Sequence, residues 1–252
     1  MSALALADAH FHLEAATNPL EVARAADAAG LAMLAVSVVP ESLERLAASP
    51  VAECANVRLG LGFHPWWVEG SPADGERLEC FERLLPRARF VGEVGVDLGR
   101  RHASTADAQL AAFRRIARAC AREGGKTLSL HAVRSATEVM DVLEETGCAR
   151  CCRCILHWFS GTSDEFARAR ALGLLFSVGE PMLATRKGRE YARQAPLESL
   201  LVETDLPAAW DRPFDVADQV GSLGRALDGL AQVRGRRADD AVLDNARRTL
   251  LL

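Results

Sequence analysis

The chain has 252 residues, of which 49% are apolar and 25% are charged, and its formal net charge is −4. These values exclude a collagen-like or wholly disordered chain, and they exclude a strongly basic protein that coats nucleic acid. About 250 residues is the usual size of a single α/β barrel. We therefore expect one domain that spans residues 1–252.

The segment from Met1 to Asp8 lacks the basic region of a signal peptide, and no stretch approaches the ~18 apolar residues that a membrane helix needs. Seven cysteines are an odd number, which argues against a full disulfide framework. We therefore expect a cytoplasmic protein without membrane contact and without an obligate protein partner.

Short apolar runs alternate with longer stretches of helical period along the chain. A helix is predicted over residues 18–29 and ends at Gly30. Another follows strand four, where Ser104–Asp107 resembles a capping box and Gly124 predicts the end. The predicted strands cover residues 4–12, 31–39, 57–63, 90–96, 127–131, 154–158, 174–178 and 200–203.

Eight strands separated by helices predict parallel βαβ units, spaced by about 28 residues where a unit needs about 30. This pattern predicts an α/β fold of the TIM type, a (β/α)8 barrel in regular or distorted form. The residues from Phe214 to Leu252 are predicted to add helices outside the barrel.

Histidines and carboxylates gather at the predicted strand ends. His10 and His12 are two residues apart, so a strand places both side chains on the same side. Active sites of such barrels lie at the C-terminal ends of the strands. The other polar residues near these ends are Glu93, His131, His157 and Asp205.

A single histidine or carboxylate at a strand end is more often a hydrogen-bonded structural group than a ligand. The whole group of histidines and carboxylates at the strand ends is more indicative than any one of them, because burying this many unpaired polar groups without a cation would be costly. Nitrogen and oxygen donors suit Zn²⁺, Mn²⁺ or Mg²⁺. The two lysines, Lys126 and Lys187, do not end strands, which excludes a carboxylated lysine as a metal bridge and leaves Glu93 for that role.

Five segments together resemble the TatD family of metal-dependent deoxyribonucleases. The resemblance covers about residues 6 to 207 and is specific as a set, whereas only the first segment is better than weak when taken alone. The segments are Asp8–His12, Gly62–Pro65, Gly92–Asp97, Leu156–Gly161 and Glu203–Asp205.

The resemblance implies two divalent metal ions. His10, His12, Glu93 and Asp205 would hold one ion. Glu93 would bridge to a second ion, held also by His131 and His157. Glu93 and Asp205 would be the catalytic carboxylates, with Asp205 accepting the proton of the attacking water.

Other residues are candidates for binding the substrate. Arg100, Arg101 and Arg134 are predicted either to clamp phosphate oxygens or to be solvated loop charges. The family pattern has its arginine two residues after His131, where this chain has Val133. His64 is a candidate to bind phosphate or to act as an acid.

The neighbouring tryptophans Trp66 and Trp67 are predicted to stack on unpaired bases or to cover the barrel rim, and we favour covering for one of the two. Asp8 is predicted to orient a ligand imidazole or to shape the strand end, and Glu203 is predicted to orient ligands or to support the substrate. His102 is expected to be a surface residue.

Four cysteines lie close together in the sequence at Cys148, Cys151, Cys152 and Cys154. A structural zinc site would need four ligands in a closed geometry, and no second cysteine pair lies elsewhere. We favour a turn with small buried residues over a zinc site or a reactive thiol.

The sequence therefore predicts a metal-dependent hydrolase, a TatD-like deoxyribonuclease that acts as a 3′–5′ exonuclease or phosphodiesterase on DNA ends. One alternative is a hydrolase of the same fold that cleaves a carboxylic ester or amide, such as an aminoacyl ester on RNA or a small cyclic amide, because a metal polarises a carbonyl as readily as a phosphoryl group. A non-catalytic binding module is the least favoured alternative, since no proposed ligand is missing.

Overall fold

The computed structural model describes residues 4–252, where strands alternate with α-helices. The order of the parallel strands in the sheet follows the chain, which confirms the predicted TIM-type (β/α)8 fold. The strands are β1 (Leu6–Phe11), β2 (Leu31–Ala35), β3 (Val57–Phe63), β4 (Phe90–Asp97), β5 (Thr127–Val133), β6 (Arg153–His157), β7 (Leu175–Val178) and β8 (Leu200–Val202). The helices are α1 (Pro19–Ala28), α2 (Pro40–Ala47), α3 (Pro72–Leu84), α4 (Ala106–Glu123), α5 (Ala136–Thr146), α6 (Cys148–Cys151), α7 (Ser163–Ala171), α8 (Glu180–Leu183), α9 (Arg186–Gln194), α10 (Val216–Arg234) and α11 (Asp239–Leu250).

Two local predictions were wrong. β2 ends at Ala35, four residues earlier than predicted, and the chain then leads into α2, whose first residue is a proline. Ser104 does not cap α4, because it lies in a 3-10 turn that moves the cap position to Thr105. The Thr105 hydroxyl donates to the His102 carbonyl at 3.2 Å rather than capping the helix.

The end of α4 agrees with the prediction. Gly124 has a φ of 67°, a left-handed conformation that suits glycine, and its N–H donates to the Cys120 carbonyl at 2.8 Å. Two helices, α10 and α11, fill the predicted C-terminal helical region. Among residues 4–252 no helix is both long and apolar enough to cross a membrane.

The chain divides into two compact units, and the assignment of residues 1–252 to one domain remains a prediction. Unit 1 contains the described residues up to Val36, Arg45–Leu59 and Phe176–Leu252. Within unit 1, Leu6 of β1 pairs with Leu31 of β2, and Phe176 of β7 pairs with Leu200 of β8.

Backbone hydrogen bonds join the ends of β1 and β8 inside unit 1. The Asp205 N–H donates to the His10 carbonyl at 3.0 Å, and the His12 N–H donates to the Leu206 carbonyl at 2.7 Å. These bonds hold the segments that follow the two strands side by side. The polar residues of those segments are therefore brought to one place in unit 1.

Unit 2 contains Ser37–Glu44 and Gly60–Leu175. Its sheet is formed by the end of β3 with β4, β5 and β6 in parallel register. Gly62 is required here, since a Cβ at this position would lie 1.5 Å from the Ser37 carbonyl oxygen. That oxygen accepts a hydrogen bond from the Glu93 N–H at 2.9 Å, so the close approach fixes the backbone at Glu93.

Candidate metal-binding clusters

Two imidazoles meet at the end of β1 in unit 1. His10 lies on the strand and His12 follows it, and both side chains are buried. The period of two places them on the same side, as the sequence predicts, and their Nε2 atoms are 3.3 Å apart. Two nitrogen ligands are thus available at one point.

Asp205 adds an oxygen to this pair, forming the histidine–aspartate cluster of His10, His12 and Asp205. Its Oδ1 lies 3.3 Å from His12 Nε2 and 3.6 Å from His10 Nε2. The backbone of Asp205 has a φ of 58°, a left-handed conformation that aspartate tolerates better than most residues. The side chain is 27% exposed, so this cluster is open to solvent on the side of Asp205.

Asp8 forms hydrogen bonds with the backbone next to the histidine–aspartate cluster. Its Oδ1 accepts hydrogen bonds from the N–H groups of His10 and Thr204, both at 3.1 Å. Its Oδ2 accepts from Thr204 Oγ1 at 2.6 Å and from Gln219 Nε2 at 2.9 Å. Burial raises the pKa of Asp8 to about 7, although the hydrogen bonds favour its charged form. Asp8 therefore ties β1, the segment after β8 and α10 together.

Glu203 is the second buried carboxylate of unit 1 that we predicted to act beside the ligands. The Ser177 hydroxyl on β7 donates a hydrogen bond to its carboxylate. This bond fixes the side chain of Glu203 between β7 and the end of β8.

Unit 2 holds a second group, the glutamate–histidine cluster of His64, Glu93, His131 and His157. Three imidazole nitrogens surround Glu93 Oε1, with His131 Nδ1 at 2.6 Å, His157 Nε2 at 3.0 Å and His64 Nε2 at 3.2 Å. All four side chains are buried. His64 follows β3 and His157 ends β6, whereas Glu93 and His131 lie inside β4 and β5. A (β/α)8 fold places its functional residues toward the C-terminal ends of the strands.

Asp97 extends the glutamate–histidine cluster and is a residue that the sequence interpretation missed. Its Oδ2 lies 3.1 Å from His131 Nε2 and accepts a hydrogen bond from Trp66 Nε1 at 2.6 Å. The signal was present, because Glu93 and Asp97 are four residues apart on one strand and their side chains share a face.

The charges of the glutamate–histidine cluster shift two pKa values. Burial lowers the pKa of His131, but the negative charge of Glu93 and the hydrogen bonds to Asp97 and Glu93 outweigh it and raise this pKa above its usual value. Burial also raises the pKa of Asp97, but hydrogen bonds from His131 and Trp66 outweigh it and hold the pKa well below its usual range. Asp97 therefore remains a carboxylate.

The spacing of the ligand atoms fits divalent cations. Four ligands about 2.0–2.2 Å from a tetrahedral metal ion are separated from one another by about 3.3–3.6 Å. The distances within the histidine–aspartate cluster are 3.3, 3.3 and 3.6 Å. His64, Glu93 and His131 offer ligand atoms that lie within 4.8 Å of one another, and the 2.6 Å between Glu93 Oε1 and His131 Nδ1 is a hydrogen-bond distance. Imidazole nitrogen and carboxylate oxygen are donors that suit Zn²⁺, Mn²⁺ and, for the oxygens, Mg²⁺.

The predicted phosphate-binding arginines lie on exposed loops. Arg100 and Arg101 follow β4, and Arg134 follows β5 with a left-handed φ of 56°.

His102, expected to be a plain surface residue, is half-buried and stacks on the Trp66 ring at a centroid distance of 4.8 Å. Trp67 is half-buried, whereas Trp66 is exposed, in keeping with a covering role for one of the two.

Trp210 is a second residue that the sequence interpretation did not single out. It is 40% exposed, and its ring lies 6.2 Å from the ring of His12 within unit 1. Its position eight residues after β8 carries no periodic or motif signal, so only the three-dimensional structure reveals it.

The cysteine-rich segment forms the short helix α6 and the start of β6. All seven cysteines are free, and Cys148 and Cys154 are buried. The possible metal-binding groups found within residues 4–252 include no cysteine. Cys151 is exposed and Cys152 is half-buried, and the interpretation of this segment as a turn with small buried residues stays a prediction.

The comparisons with known proteins indicate the same family. A family model described as TatD related DNase matches residues 7–250. The uncharacterized metal-dependent hydrolase TatD of Mycobacterium tuberculosis is 31% identical, over 96% of this chain and 97% of that protein. A 3′-5′ ssDNA/RNA exonuclease TatD of Edwardsiella piscicida is 33% identical, over 58% of this chain and 56% of that protein.

A solved structure supports the fold. The crystal structure of a TatD homolog from Escherichia coli K12 superposes with a TM-score of 0.82 and covers 99% of each chain. The sequence identity is 22%, so this likeness concerns the fold alone.

Proposed function

This chain belongs to the TatD family of DNases, and from that premise we propose that it is a metal-dependent hydrolase that removes nucleotides from the 3′ ends of DNA. The family model supports a deoxyribonuclease activity, and the relative from Mycobacterium tuberculosis is named as metal-dependent. The relative from Edwardsiella piscicida supports the 3′-to-5′ direction and a single-stranded substrate.

The observation that carries this proposal is the convergence of buried imidazoles and carboxylates in each unit. We assign one divalent cation to His10, His12 and Asp205, and a second to Glu93, His131 and His157. The spacing within the histidine–aspartate cluster supports Zn²⁺ or Mn²⁺ and is compatible with Mg²⁺. The assignment of the second ion rests on the donor types and on the family resemblance. That Glu93 bridges both ions remains a prediction from the family resemblance.

When bound, divalent cations would polarise the scissile phosphoryl group and acidify the attacking water. The chain itself supplies the proton acceptor. Asp205 is suited to this role because its carboxylate is partly exposed, whereas Glu93 is buried among three imidazoles. We therefore propose that a carboxylate oxygen of Asp205 accepts the proton of the attacking water.

Two buried carboxylates outside the ligand sets would hold the ligands in place. Asp8 binds the backbone N–H of His10 and both N–H and hydroxyl of Thr204, the residue before Asp205. Glu203 is fixed by Ser177. Held ligands lose less conformational freedom when a cation binds, which raises affinity.

The substrate would meet the exposed residues beside the clusters. We assign the exposed Arg100, Arg101 and Arg134 to phosphate oxygens, since a guanidinium can make two parallel hydrogen bonds to a phosphate. His64 was predicted to bind phosphate or donate a proton. Its Nδ1 accepts a hydrogen bond from the backbone N–H of Trp66 at 3.0 Å, and its Nε2 lies 3.2 Å from Glu93 Oε1. These contacts favour a role in orienting Glu93.

The proposed function is tested by hydrolysis of a 5′-labelled single-stranded DNA. The protein is stripped of metal with a chelator, and Mg²⁺, Mn²⁺ or Zn²⁺ is added back. We expect a ladder of products that shorten one nucleotide at a time, only with metal, and no ladder from the His10→Ala variant. A variant that still folds, shown by an unchanged unfolding midpoint, makes that loss specific.

Two results would contradict the proposed nuclease function. Cleavage that survives chelation and the His10→Ala change would contradict metal catalysis. Failure to cleave DNA with every metal, while two ions still bind, would instead favour a hydrolase of carboxylic esters or amides. A cytoplasmic location remains a prediction from the sequence.

A further inference from the structure

Trp66 presents an aromatic ring to solvent beside the glutamate–histidine cluster. The side chain is 50% exposed, yet its ring is nearly parallel to the imidazole of His102, with an interplanar angle of 6° and a centroid distance of 4.8 Å. These values describe an offset stack. His102 therefore covers part of one face of the indole, and the Trp67 ring lies nearly parallel to the indole at a centroid distance of 6.5 Å. A ligand would stack on the part of the indole that remains exposed.

The ring is held rigidly although it is exposed. Trp66 Nε1 donates to Asp97 Oδ2 at 2.6 Å, and Asp97 is itself fixed by the Gly99 N–H, which donates to its Oδ1 at 2.6 Å. An indole held by a buried carboxylate on its edge and by an imidazole on its face has lost most of its freedom. Stacking of a ligand on the indole would therefore cost little further conformational entropy of the Trp66 side chain.

The position of the ring connects it to the proposed chemistry. The centroid of Trp66 lies 5.0 Å from that of His64 and 6.0 Å from that of His131. Asp97 links the indole to His131 directly, because its Oδ2 contacts both side chains. A flat group stacked on Trp66 would thus lie next to the cluster that we assign to a catalytic cation.

The surrounding charge identifies the kind of flat group. The segment that brings His102 to Trp66 also carries Arg100 and Arg101, and both are exposed. Aromatic rings beside cationic side chains are the combination by which proteins bind single-stranded nucleic acid without sequence preference. The rings receive the base, and the arginines receive the phosphates.

We propose that the exposed indole of Trp66, backed by the imidazole of His102, is a stacking platform for an unpaired base of the substrate, next to the phosphodiester bond that is cleaved. This inference rests on the proposed nuclease function and deepens it by naming what the site recognises. A base inside a duplex has both faces covered by its neighbours, so the platform selects unpaired ends. Recognition through the π face also makes cleavage tolerant of base identity.

The test compares two fluorescently labelled single-stranded decamers of equal charge, one of thymidines and one whose sugars lack bases. Binding is measured by anisotropy in EDTA and again in Ca²⁺, so that it does not depend on turnover. Stacking of one base corresponds to roughly 5- to 150-fold in affinity. We expect the wild type to bind the thymidine decamer at least about 10-fold more tightly than the abasic one.

Variants separate stacking from charge. Trp66→Ala should remove the preference for bases while changing the affinity for the abasic decamer less than about twofold, and Trp66→Phe should retain part of the preference, because a smaller ring still stacks. Arg100→Ala should weaken binding of both decamers by the same factor, since it contacts phosphates. His102→Ala should give a smaller loss of base preference than Trp66→Ala.

The outcomes distinguish this inference from the nuclease itself. Equal affinity of the wild type for both decamers, or no binding of either, overturns the platform even if DNA is cleaved. A base preference that survives Trp66→Ala also overturns it. A preference that depends on Trp66 in a protein that cleaves no DNA supports the platform and contradicts the nuclease.

Discussion

Asp8 on β1 and Thr204, two residues after β8, are joined by two hydrogen bonds. Thr204 donates from its N–H to Oδ1 at 3.1 Å and from its hydroxyl to Oδ2 at 2.6 Å. Both partners are buried. The contact sets the position of the adjacent ligand, Asp205, relative to His10, whose N–H also donates to Asp8.

Thr204→Val removes the hydroxyl donor and keeps the shape of the side chain. We expect the free energy of unfolding to fall by about 1–3 kcal/mol, because a buried carboxylate loses one partner. We also expect weaker binding of the cation assigned to the histidine–aspartate cluster. Urea unfolding and a metal titration check both effects. Thr17→Val, at an exposed position of the same unit, is the control and should change neither.

Asp205→Asn tests the proposed proton acceptor against a matched control. Asp205 and Asp211 lie six residues apart with left-handed φ angles of 58° and 57°, which asparagine tolerates equally well. We expect Asp205→Asn to lower the turnover number by at least about 100-fold even at saturating metal, since the amide is a weaker ligand and cannot accept the proton. Asp211→Asn should retain turnover. Equal effects of the two changes on turnover would contradict the assignment.

Gly95→Ala tests the backbone that positions Glu93 and His131. Gly95 has a φ of 144°, and a Cβ there would lie 2.0 Å from the His131 carbonyl oxygen. We expect a loss of at least about 2 kcal/mol in the free energy of unfolding. Gly224→Ala in α10 meets no atom within 4 Å and should instead stabilise the protein by about 0.5–1 kcal/mol. Chemical denaturation of both variants checks the contrast.

Lys126→Met tests whether the buried lysine is structural. Lys126 Nζ donates to the carbonyls of Leu85 and Ala88 at 2.8 and 2.9 Å. Its loss leaves two buried acceptors without that donor, and we expect a destabilisation of about 2–4 kcal/mol. Turnover per folded molecule should stay unchanged, because this lysine is not a metal bridge. The exposed Lys187, the other lysine of the chain, should tolerate methionine within about 0.5 kcal/mol.

The eight strands and the ligand candidates follow from local rules of sequence. Apolar runs at regular spacing predict the strands, and the period of two predicts that His10 and His12 face the same way. The structure places them together with Asp205, as expected for residues at adjacent strand ends. The rule that functional residues lie at the C-terminal strand ends brought Glu93, His131 and His157 into the same set.

Other features depend on contacts that sequence spacing does not encode. The spacing of Glu93 and Asp97 on β4 could have indicated Asp97, but its hydrogen bond with Trp66, 31 residues away, could not be predicted from spacing. The stack of Trp66 on His102 depends on the path of the loop after β4, and Trp210 reaches His12 only through the fold of the segment after β8. The failed capping box at Ser104 shows that a 3-10 turn can displace a cap that the local sequence predicts.

The most direct test of the account counts the metal ions bound by each cluster. Purified wild-type, His10→Ala and His131→Ala proteins are stripped, titrated with Zn²⁺ or Mn²⁺ by calorimetry, and assayed on single-stranded DNA at each ratio. We expect about two ions for the wild type, about one tight ion for each variant, and hydrolysis only in the wild type. Unchanged stoichiometry in both variants, or full hydrolysis by a variant that has lost an ion, would contradict it.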